Sequence, residues 1–77
     1  MRSQLGIIIA NNIRAERNRN NLSQDELCEK IDITRRTYTK YETDASRIPA
    51  RLLVDLSDAL GCGIDAFFVG IEFTNRE

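Results

Sequence analysis

Apolar residues in the first part of the chain recur at every third or fourth position, which is the spacing of one face of an α-helix. Leu5, Ile9 and Ile13 form this stripe and predict a first helix from about Gln4 to Arg19. Asparagine weakens a helix and suits a connection, and three asparagines follow at positions 18, 20 and 21. The pattern therefore predicts an amphipathic helix followed by a turn.

The second predicted helix has the clearest start signal in the sequence. Ser23 and Glu26 stand three residues apart, the spacing of a capping box in which each side chain bonds to the other residue's backbone N–H. Leu27 and Ile31 then supply an apolar face, and the helix is predicted to end near Ile31 or Asp32. Aspartate is one of the few residues besides glycine that tolerates a left-handed backbone, which suits a sharp turn here.

The third predicted helix has two chemically different sides. Thr34 is a good N-cap residue, and the helix is expected to run from there to about Thr43. On a helical wheel Tyr38 and Tyr41 share one side with Thr34 and Thr37. The opposite side carries four hydrogen-bonding side chains, those of Arg35, Arg36, Thr39 and Lys40.

Two further apolar segments follow. Pro49 suits the first turn of a fourth helix and Gly61 suits its end. The apolar face between them consists of Leu52, Leu53, Leu56, Ala59 and Leu60. A short fifth apolar face is formed by Ile64, Phe67 and Phe68. The elements together predict an all-α, five-helix domain over residues 1–69, with a helix-turn-helix at about 23–43, and a tail or short strand over 70–77.

Length and composition limit the classes of protein to which the chain can belong. Its 77 residues suffice for one small domain, and 42% hydrophobic with 30% charged residues is ordinary for a soluble globular protein. No apolar run approaches the roughly 20 residues of a membrane-spanning helix, and no signal peptide is evident. We therefore expect a cytoplasmic protein without a membrane partner.

The sequence offers little of the chemistry that an enzyme needs. Histidine, the commonest general base and metal ligand, is absent, and there is no glycine-rich phosphate loop. Cys28 and Cys62 are too few and too far apart for a disulfide framework or a recognisable metal site, and we expect them to be small apolar residues. The chain is therefore predicted not to be an enzyme and to use no cofactor, metal or small-molecule substrate.

Charge is unevenly distributed along the chain. The formal net charge is −1, which by itself argues against a nucleic-acid partner. Residues 35–51, however, carry a net charge of +3, whereas residues 52–77 carry −4. A local basic patch can attract phosphate even when the total charge is near zero.

Two short helices joined by a tight turn, the second with an exposed basic side, describe a helix-turn-helix that reads DNA. Arg35, Arg36, Thr39 and Lys40 stand at positions i, i+1, i+4 and i+5, which lets them reach neighbouring base pairs from one helix face. Arginine is well shaped to bind guanine O6 and N7 with two hydrogen bonds. A charged helix face that is merely solvated is the alternative that this pattern alone leaves open.

Several blocks of the sequence together resemble one known family. Ser-Gln-Asp-Glu-Leu-Cys at 23–28 is followed by Ile-Asp-Ile-Thr at 31–34, by Tyr-Thr-Lys-Tyr-Glu at 38–42, by Ile-Pro at 48–49 and by Asp-Ala-Leu-Gly at 58–61. These blocks and their spacing resemble the helix-turn-helix family of phage Cro and repressor proteins, the XRE-type regulators. The resemblance covers about residues 9–68 and implies a compact lambda-repressor-like domain, commonly dimeric, whose third helix enters the major groove of duplex DNA.

The resemblance also implies roles for particular residues. Arg35, Arg36 and Lys40 would face the bases, with Thr39 close by. Gln24 would contact a backbone phosphate and support the third helix, Thr34 would cap that helix and touch phosphate, and Arg47 is a further phosphate candidate. Arg17 and Glu42 would form an ion pair between the first and third helices.

The chain departs from the family pattern at four positions. Asp32 and Asp44 stand where glycine is usual, Cys28 stands where alanine is usual, and Tyr38 is bulkier than the usual isoleucine or valine. These departures predict strain or a local hydrogen bond at Asp32 and an adapted core around Tyr38. The charge of Asp44 weakens the case for phosphate binding by its loop.

The sequence therefore predicts sequence-specific binding of double-stranded DNA and regulation of transcription, as a repressor or Cro-like regulator. A homodimer is expected, because paired third helices read a two-fold operator. Its contact is predicted in the C-terminal third, where the apolar residues are Phe67, Phe68, Ile71 and Phe73. The alternative is a helix-turn-helix fold used for protein contact, such as an antitoxin or an anti-repressor.

Overall fold

A computed structural model describes residues 4–71 of the chain. It contains four α-helices, α1 (Gln4–Arg19), α2 (Gln24–Ile31), α3 (Arg35–Thr43) and α4 (Ala50–Leu60), followed by a 3-10 helix (Ile64–Phe68). No strand occurs among these residues. The all-α prediction and the four α-helices are confirmed, whereas the fifth element is a single 3-10 segment rather than an α-helix.

The predictions of a C-terminal strand and of a domain boundary at residue 69 both concern the end of the described region. Ile71 has no strand conformation and packs, half-buried, against the core. Glu72 and Phe73, the rest of the suggested strand, lie outside the described residues, as does most of the predicted tail. The domain boundary at residue 69 stays a prediction.

Helix α1 packs through a stripe that is shifted from the predicted one. Ile9 and Ile13 are buried as expected, but Leu5 is 48% exposed, so its assignment to the apolar stripe was wrong. Gly6 is buried in its place, and its carbonyl accepts a hydrogen bond of 3.0 Å from the backbone N–H of Ala45. The first turn of α1 therefore meets the segment after α3 by backbone contact, which leaves Leu5 on the outer side.

Gly6→Ala is expected to destabilise the fold by about 1–3 kcal/mol, because it overpacks this contact. An added Cβ would overlap the side chains of Asp44 and Ser46 and lie 2.6 Å from the Ser46 backbone nitrogen, so the backbone itself must move. The higher helix propensity of alanine, worth about 1 kcal/mol, offsets only part of this cost. Denaturant unfolding measures the effect, with Asn18→Ala, an exposed position of α1, as the control that should not lose stability. A Gly6→Ala variant as stable as the control would contradict the close approach.

The predicted caps are found on both helices of the helix-turn-helix, α2 and α3. Ser23 Oγ accepts from the Glu26 N–H at 3.0 Å, and Glu26 Oε1 accepts from the Ser23 N–H at 2.8 Å, so the capping box is confirmed. Thr34 caps α3 by accepting from the Thr37 N–H at 3.2 Å. Asp32 ends α2 in the left-handed conformation, with φ 56° and ψ 54°. These caps fix where each helix begins and ends.

Asp32→Gly is expected to raise the free energy of unfolding, by up to about 1 kcal/mol, because glycine adopts the left-handed conformation without strain. The change also removes a negative charge from the negative end of the α2 dipole. Asp32→Asn separates the two effects, since it removes the charge while retaining a side chain that tolerates this backbone. Denaturant unfolding of the three proteins should rank glycine highest. A glycine variant less stable than the parent would show that the aspartate contributes a compensating contact.

The core lies where α1, α2, α3, α4 and the 3-10 helix meet. Its largest fully buried side chains are Tyr38, Phe67, Ile13, Leu27 and Leu56. Leu52 and Leu60 complete the buried face of α4, which Gly61 ends in the left-handed conformation as predicted. Pro49 is the N-cap residue of α4, one position before the first turn in which it was predicted. Ile64 is 40% exposed, so its assignment to the buried face of the fifth element was wrong.

The side chain of Asn12 links α1 to the end of the 3-10 helix through two hydrogen bonds. Its side-chain nitrogen donates to the carbonyls of Phe67 at 2.9 Å and Val69 at 2.8 Å. The cysteines behave as small apolar residues, since Cys28 is buried, Cys62 is half-buried and neither forms a disulfide. Burial raises the pKa of both thiols, which favours their protonated form.

Candidate nucleic-acid interface

Helix α3 separates its side chains into an inner and an outer set. Tyr38 is fully buried and Glu42 is 4% exposed on the inner side. The outer side carries the four predicted base-reading residues, all exposed, namely Arg35, Arg36, Thr39 and Lys40. The helix therefore presents a row of hydrogen-bonding groups to solvent while its other side is anchored in the core.

The structure brings Arg17 of α1 and Glu42 of α3 together in a two-pronged ion pair. Arg17 Nε donates to Glu42 Oε2 at 2.6 Å, and Nη2 donates to Oε1 at 3.1 Å. Arg17 Nη1 also donates to the carbonyl of Leu22 at 2.8 Å, in the connection before α2. The guanidinium thus joins α1, the following turn and α3 at one point.

The Glu42 carboxylate accepts two further hydrogen bonds. The hydroxyl of Tyr38, one turn earlier on α3, donates to Oε2, and Gln24 Nε2 donates to Oε1 at 3.0 Å. Burial by itself would raise the pKa of Glu42, but the hydrogen bonds from Arg17 and Tyr38 outweigh it and hold the pKa below its ordinary value. Glu42 is therefore ionised at neutral pH.

Two partners of Glu42, Arg17 and Tyr38, have raised pKa values and so remain protonated hydrogen-bond donors. The hydrogen bond to Glu42 raises the pKa of Arg17. Burial, with the hydrogen bond to Glu42, raises the pKa of Tyr38, so its hydroxyl stays a donor. The cluster is a buried charge with its hydrogen bonds satisfied, which braces α3 against α1 and α2.

Gln24 connects this buried cluster to the outer side of α3. Its amide oxygen accepts from Arg35 Nε at 3.3 Å and lies 3.2 Å from the hydroxyl oxygen of Thr39, which donates to the backbone carbonyl of Arg35 at 2.7 Å. Arg35 also lies near the Asp25 carboxylate, with Nη1 and Oδ2 3.6 Å apart. The N-terminal turn of α2 therefore contacts two of the predicted base-reading side chains directly.

The remaining predicted site residues lie around this surface. Thr34 is exposed at the start of α3 and its hydroxyl donates to that of Thr37 at 2.9 Å. Arg47 is exposed in the loop between α3 and α4. Lys40 lies over the ring of Tyr41, with 5.7 Å between its Nζ and the ring centroid. Asp44 turns its carboxylate inward along the loop and accepts from the Ser46 N–H at 2.9 Å.

A family model described as Helix-turn-helix matches residues 13–67. The chain belongs to the Cro/C1-type helix-turn-helix family. The matched span includes the ion pair, both helices of the motif and the whole of α4, so the family resemblance predicted from the sequence is confirmed.

Two curated relatives of this helix-turn-helix protein are each 42% identical to it over 55 residues, which is 71% of the chain. One is an uncharacterized HTH-type transcriptional regulator of Rickettsia conorii, and the other bears the same description in Rickettsia prowazekii. The aligned part makes up 44% of the first relative and 42% of the second. The chain therefore spans less than half the length of these curated relatives.

Sequence reasoning missed part of the site. It placed Tyr38 in the core but not in contact with Glu42, although their separation by four residues on one helix was a signal for that pair. The contacts of Gln24 and Asp25 with Arg35 had no such signal, because α2 and α3 cross at an angle that periodicity does not give.

No group of histidine, cysteine, aspartate or glutamate side chains in residues 4–71 is placed to hold a metal ion. No helix within the same range is long and apolar enough to cross a membrane.

Proposed function

We propose that this helix-turn-helix protein binds double-stranded DNA in a sequence-specific manner and regulates transcription. The observation that carries the proposal is the row of exposed donors on α3, held by a helix whose inner side is fixed to the core through Glu42. A rigid helix with such a row fits the major groove, which is wide enough to admit an α-helix. Membership of the family and the names of the two relatives support it.

The proposed contacts fall into two groups. Arg35 and Arg36 read guanine, and Thr39 and Lys40 contact bases beside them. Phosphates are bound by side chains at the edge of this row, namely Thr34, Arg47 and Gln24. Gln24 has a second amide N–H besides the one given to Glu42, and this N–H is the group proposed to bind phosphate.

The charge of the protein agrees with a local interface. Residues 35–51, which carry the net +3, comprise α3, its following loop and the start of α4, whereas the acidic residues of positions 52–77 lie later in the chain. Phosphate attraction falls off within about 10 Å at ordinary salt, so the nearby charge matters more than the total. We propose that the protein acts in the cytoplasm as a repressor or Cro-like regulator. When it is bound to its operator, other proteins cannot bind there.

Selection from a pool of random duplex DNA tests this proposal. The protein is expected to enrich one short sequence, and the enriched duplex should bind it about 10³-fold or more tightly than a scrambled duplex. Enrichment of no sequence would contradict the proposal and favour a protein-contact role, such as an antitoxin or an anti-repressor.

We also propose that the protein acts as a homodimer that joins through its C-terminal third. The apolar residues from which the sequence predicted this contact belong largely to the core, since Phe67 is fully buried, and Phe68 and Ile71 are half-buried against it. Phe73 lies outside the described residues. Among the described residues of this part of the chain, the exposed large apolar side chains are Val54 at 48%, Ile64 at 40% and Val69 at 65% exposure. Contact there would leave α3 of each copy free for successive major grooves.

Val69→Glu is expected to weaken dimerisation at least about tenfold, because it places a charge in an apolar contact and repeats it across the two-fold axis. Sedimentation at several concentrations, with and without a palindromic duplex, measures the association. Leu5→Glu is the matched control, since Leu5 is an equally apolar exposed residue on α1. A parent protein that is a monomer throughout and binds DNA as a single copy would end the dimer proposal. Equal weakening by both substitutions would move the contact away from the C-terminal third.

A further inference from the structure

We propose that Asp25 determines DNA sequence preference without touching DNA, by positioning the guanidinium of Arg35. This inference rests on the proposed function, because it concerns which base α3 selects. Asp25 is exposed on the first turn of α2, and it stands where an approaching DNA backbone would be repelled by its charge. An acidic residue at the edge of a DNA-binding surface therefore needs a specific reason, and the contact with Arg35 supplies one.

The first step is the fixed orientation of the Gln24 amide. An ionised carboxylate can only accept hydrogen bonds, so the amide nitrogen of Gln24 must be the end that faces Glu42. The amide oxygen then points toward α3, where it accepts from Arg35 Nε and lies beside the hydroxyl of Thr39. The buried ion pair therefore determines which end of Gln24 the outer surface of α3 meets.

The second step is the placement of Arg35 between two acceptors. Gln24 Oε1 lies 3.3 Å from Nε on one side of the guanidinium, and Asp25 Oδ2 lies 3.6 Å from Nη1 on another. Arg35 Nη2 donates no hydrogen bond to any of residues 4–71. A planar fork held at these two nitrogens keeps its remaining N–H groups directed outward, ready for the two acceptors of guanine.

The third step concerns the strength of the Asp25–Arg35 contact. The side chains are 71% and 64% exposed, and exposed ion pairs of this kind add little to folding stability. When duplex DNA covers the surface and displaces water, the local dielectric falls and the same contact strengthens. The contact therefore acts on the bound state, where it limits Arg35 to one direction.

The charge of Asp25 adds a second contribution to selectivity. On DNA without the preferred base, Arg35 has no guanine to bind, and reaching a phosphate instead breaks its contact with Asp25, whose charge then repels the phosphates nearby. On the preferred sequence, the guanidinium bound to guanine lies beside Asp25 and compensates its charge. Asp25 thus lowers the affinity of the protein for random DNA and preserves its affinity for the preferred sequence.

Comparison of Asp25→Ala with Glu29→Ala tests the inference on the full chain. Glu29 is exposed one turn further along α2 and its side chain has no hydrogen bond or ion pair in the described region, so the two variants change the net charge equally. Only Asp25 lies in the first turn of α2, where its charge complements the helix dipole, so its removal should cost slightly more stability. The unfolding midpoints of both variants should lie within about 8 °C of the parent. Each protein is used to select from random duplexes, and its affinities for the enriched and scrambled duplexes are measured.

Asp25→Ala is expected to lose about fivefold or more of the preference at one base pair, the same pair at which Arg35→Ala loses its preference. Its affinity for the scrambled duplex should rise by roughly two- to fivefold, because one repulsive charge is gone. Glu29→Ala should keep the base preferences of the parent at every position. Identical preference profiles for the two variants would overturn the positioning role while leaving the proposed function intact. A parent protein that enriches no sequence would overturn both.

Discussion

Glu42→Ala is expected to lower the free energy of unfolding by about 3–5 kcal/mol, the usual cost of leaving a buried charge without its partner. Arg17, only 12% exposed, would lose both of its carboxylate contacts. The Tyr38 hydroxyl and the Gln24 amide would lose the same acceptor. The effect is large because three side chains, one each from α1, α2 and α3, depend on one carboxylate.

Denaturant unfolding at neutral pH measures this change, and Glu29→Ala serves as the control. Glu29 is an exposed glutamate, so its removal should alter stability by less than about 0.5 kcal/mol. The slope of unfolding free energy against denaturant should stay constant, which shows that the folded state remains compact. A Glu42→Ala variant within about 1 kcal/mol of the control would contradict the bracing role of the cluster.

The pH dependence of the parent and of Glu42→Gln provides a second control. The pKa of Glu42 is lower in the folded protein than its ordinary value of 4.5, so its carboxylate stabilises the fold at and above that pH. This contribution is lost as the pH falls through the lower, folded-state pKa. The stability difference between parent and Glu42→Gln should therefore be constant near neutrality and narrow below about pH 4.5.

Arg35→Ala and Arg36→Ala are each expected to weaken binding to the preferred duplex by about 1–3 kcal/mol, or roughly 5- to 150-fold. Each arginine is exposed on α3 and has the planar fork that guanine O6 and N7 accept. Loss of such a contact affects the preferred sequence much more than a scrambled one, because a scrambled duplex offers no aligned guanine. Fluorescence anisotropy titrations on both duplexes at one salt concentration measure the difference.

Arg51→Ala is the matched control for this prediction. Arg51 lies on α4, is 90% exposed and is 4.0 Å from Asp55, so its loss removes the same charge without touching α3. It should change affinity for both duplexes by the same small factor. Equal losses on both duplexes for Arg35→Ala and Arg36→Ala would show that these arginines contact phosphate alone.

Local signals predicted the helices well because each signal acts over a few residues. The Ser23–Glu26 capping box, the Thr34 cap and the left-handed Gly61 all depend on backbone groups within one turn. The exposed row on α3 follows from helical periodicity once its apolar side is recognised. The family pattern added the Arg17–Glu42 pair, which periodicity alone does not give.

Contacts between distant segments were beyond sequence reasoning. The Asn12 side chain reaches carbonyls 55 and 57 residues away, and nothing local to Asn12 distinguishes it from a surface asparagine. Leu5 was misassigned because the choice between it and Gly6 depends on the loop that approaches from the end of α3. The contacts of Gln24 and Asp25 with Arg35 likewise depend on how α2 crosses α3.

Amide NMR spectra of the protein, recorded with the selected duplex and with its scrambled counterpart, test most directly whether the exposed side of α3 reads DNA. With the selected duplex, the largest shifts are expected in Thr34 to Lys40 and at the start of α2, around Gln24. With the scrambled duplex, the amide shifts should be smaller and spread over the basic residues of the surface. Shifts confined to α4 or the 3-10 helix, or equal shifts with both duplexes, would contradict the account.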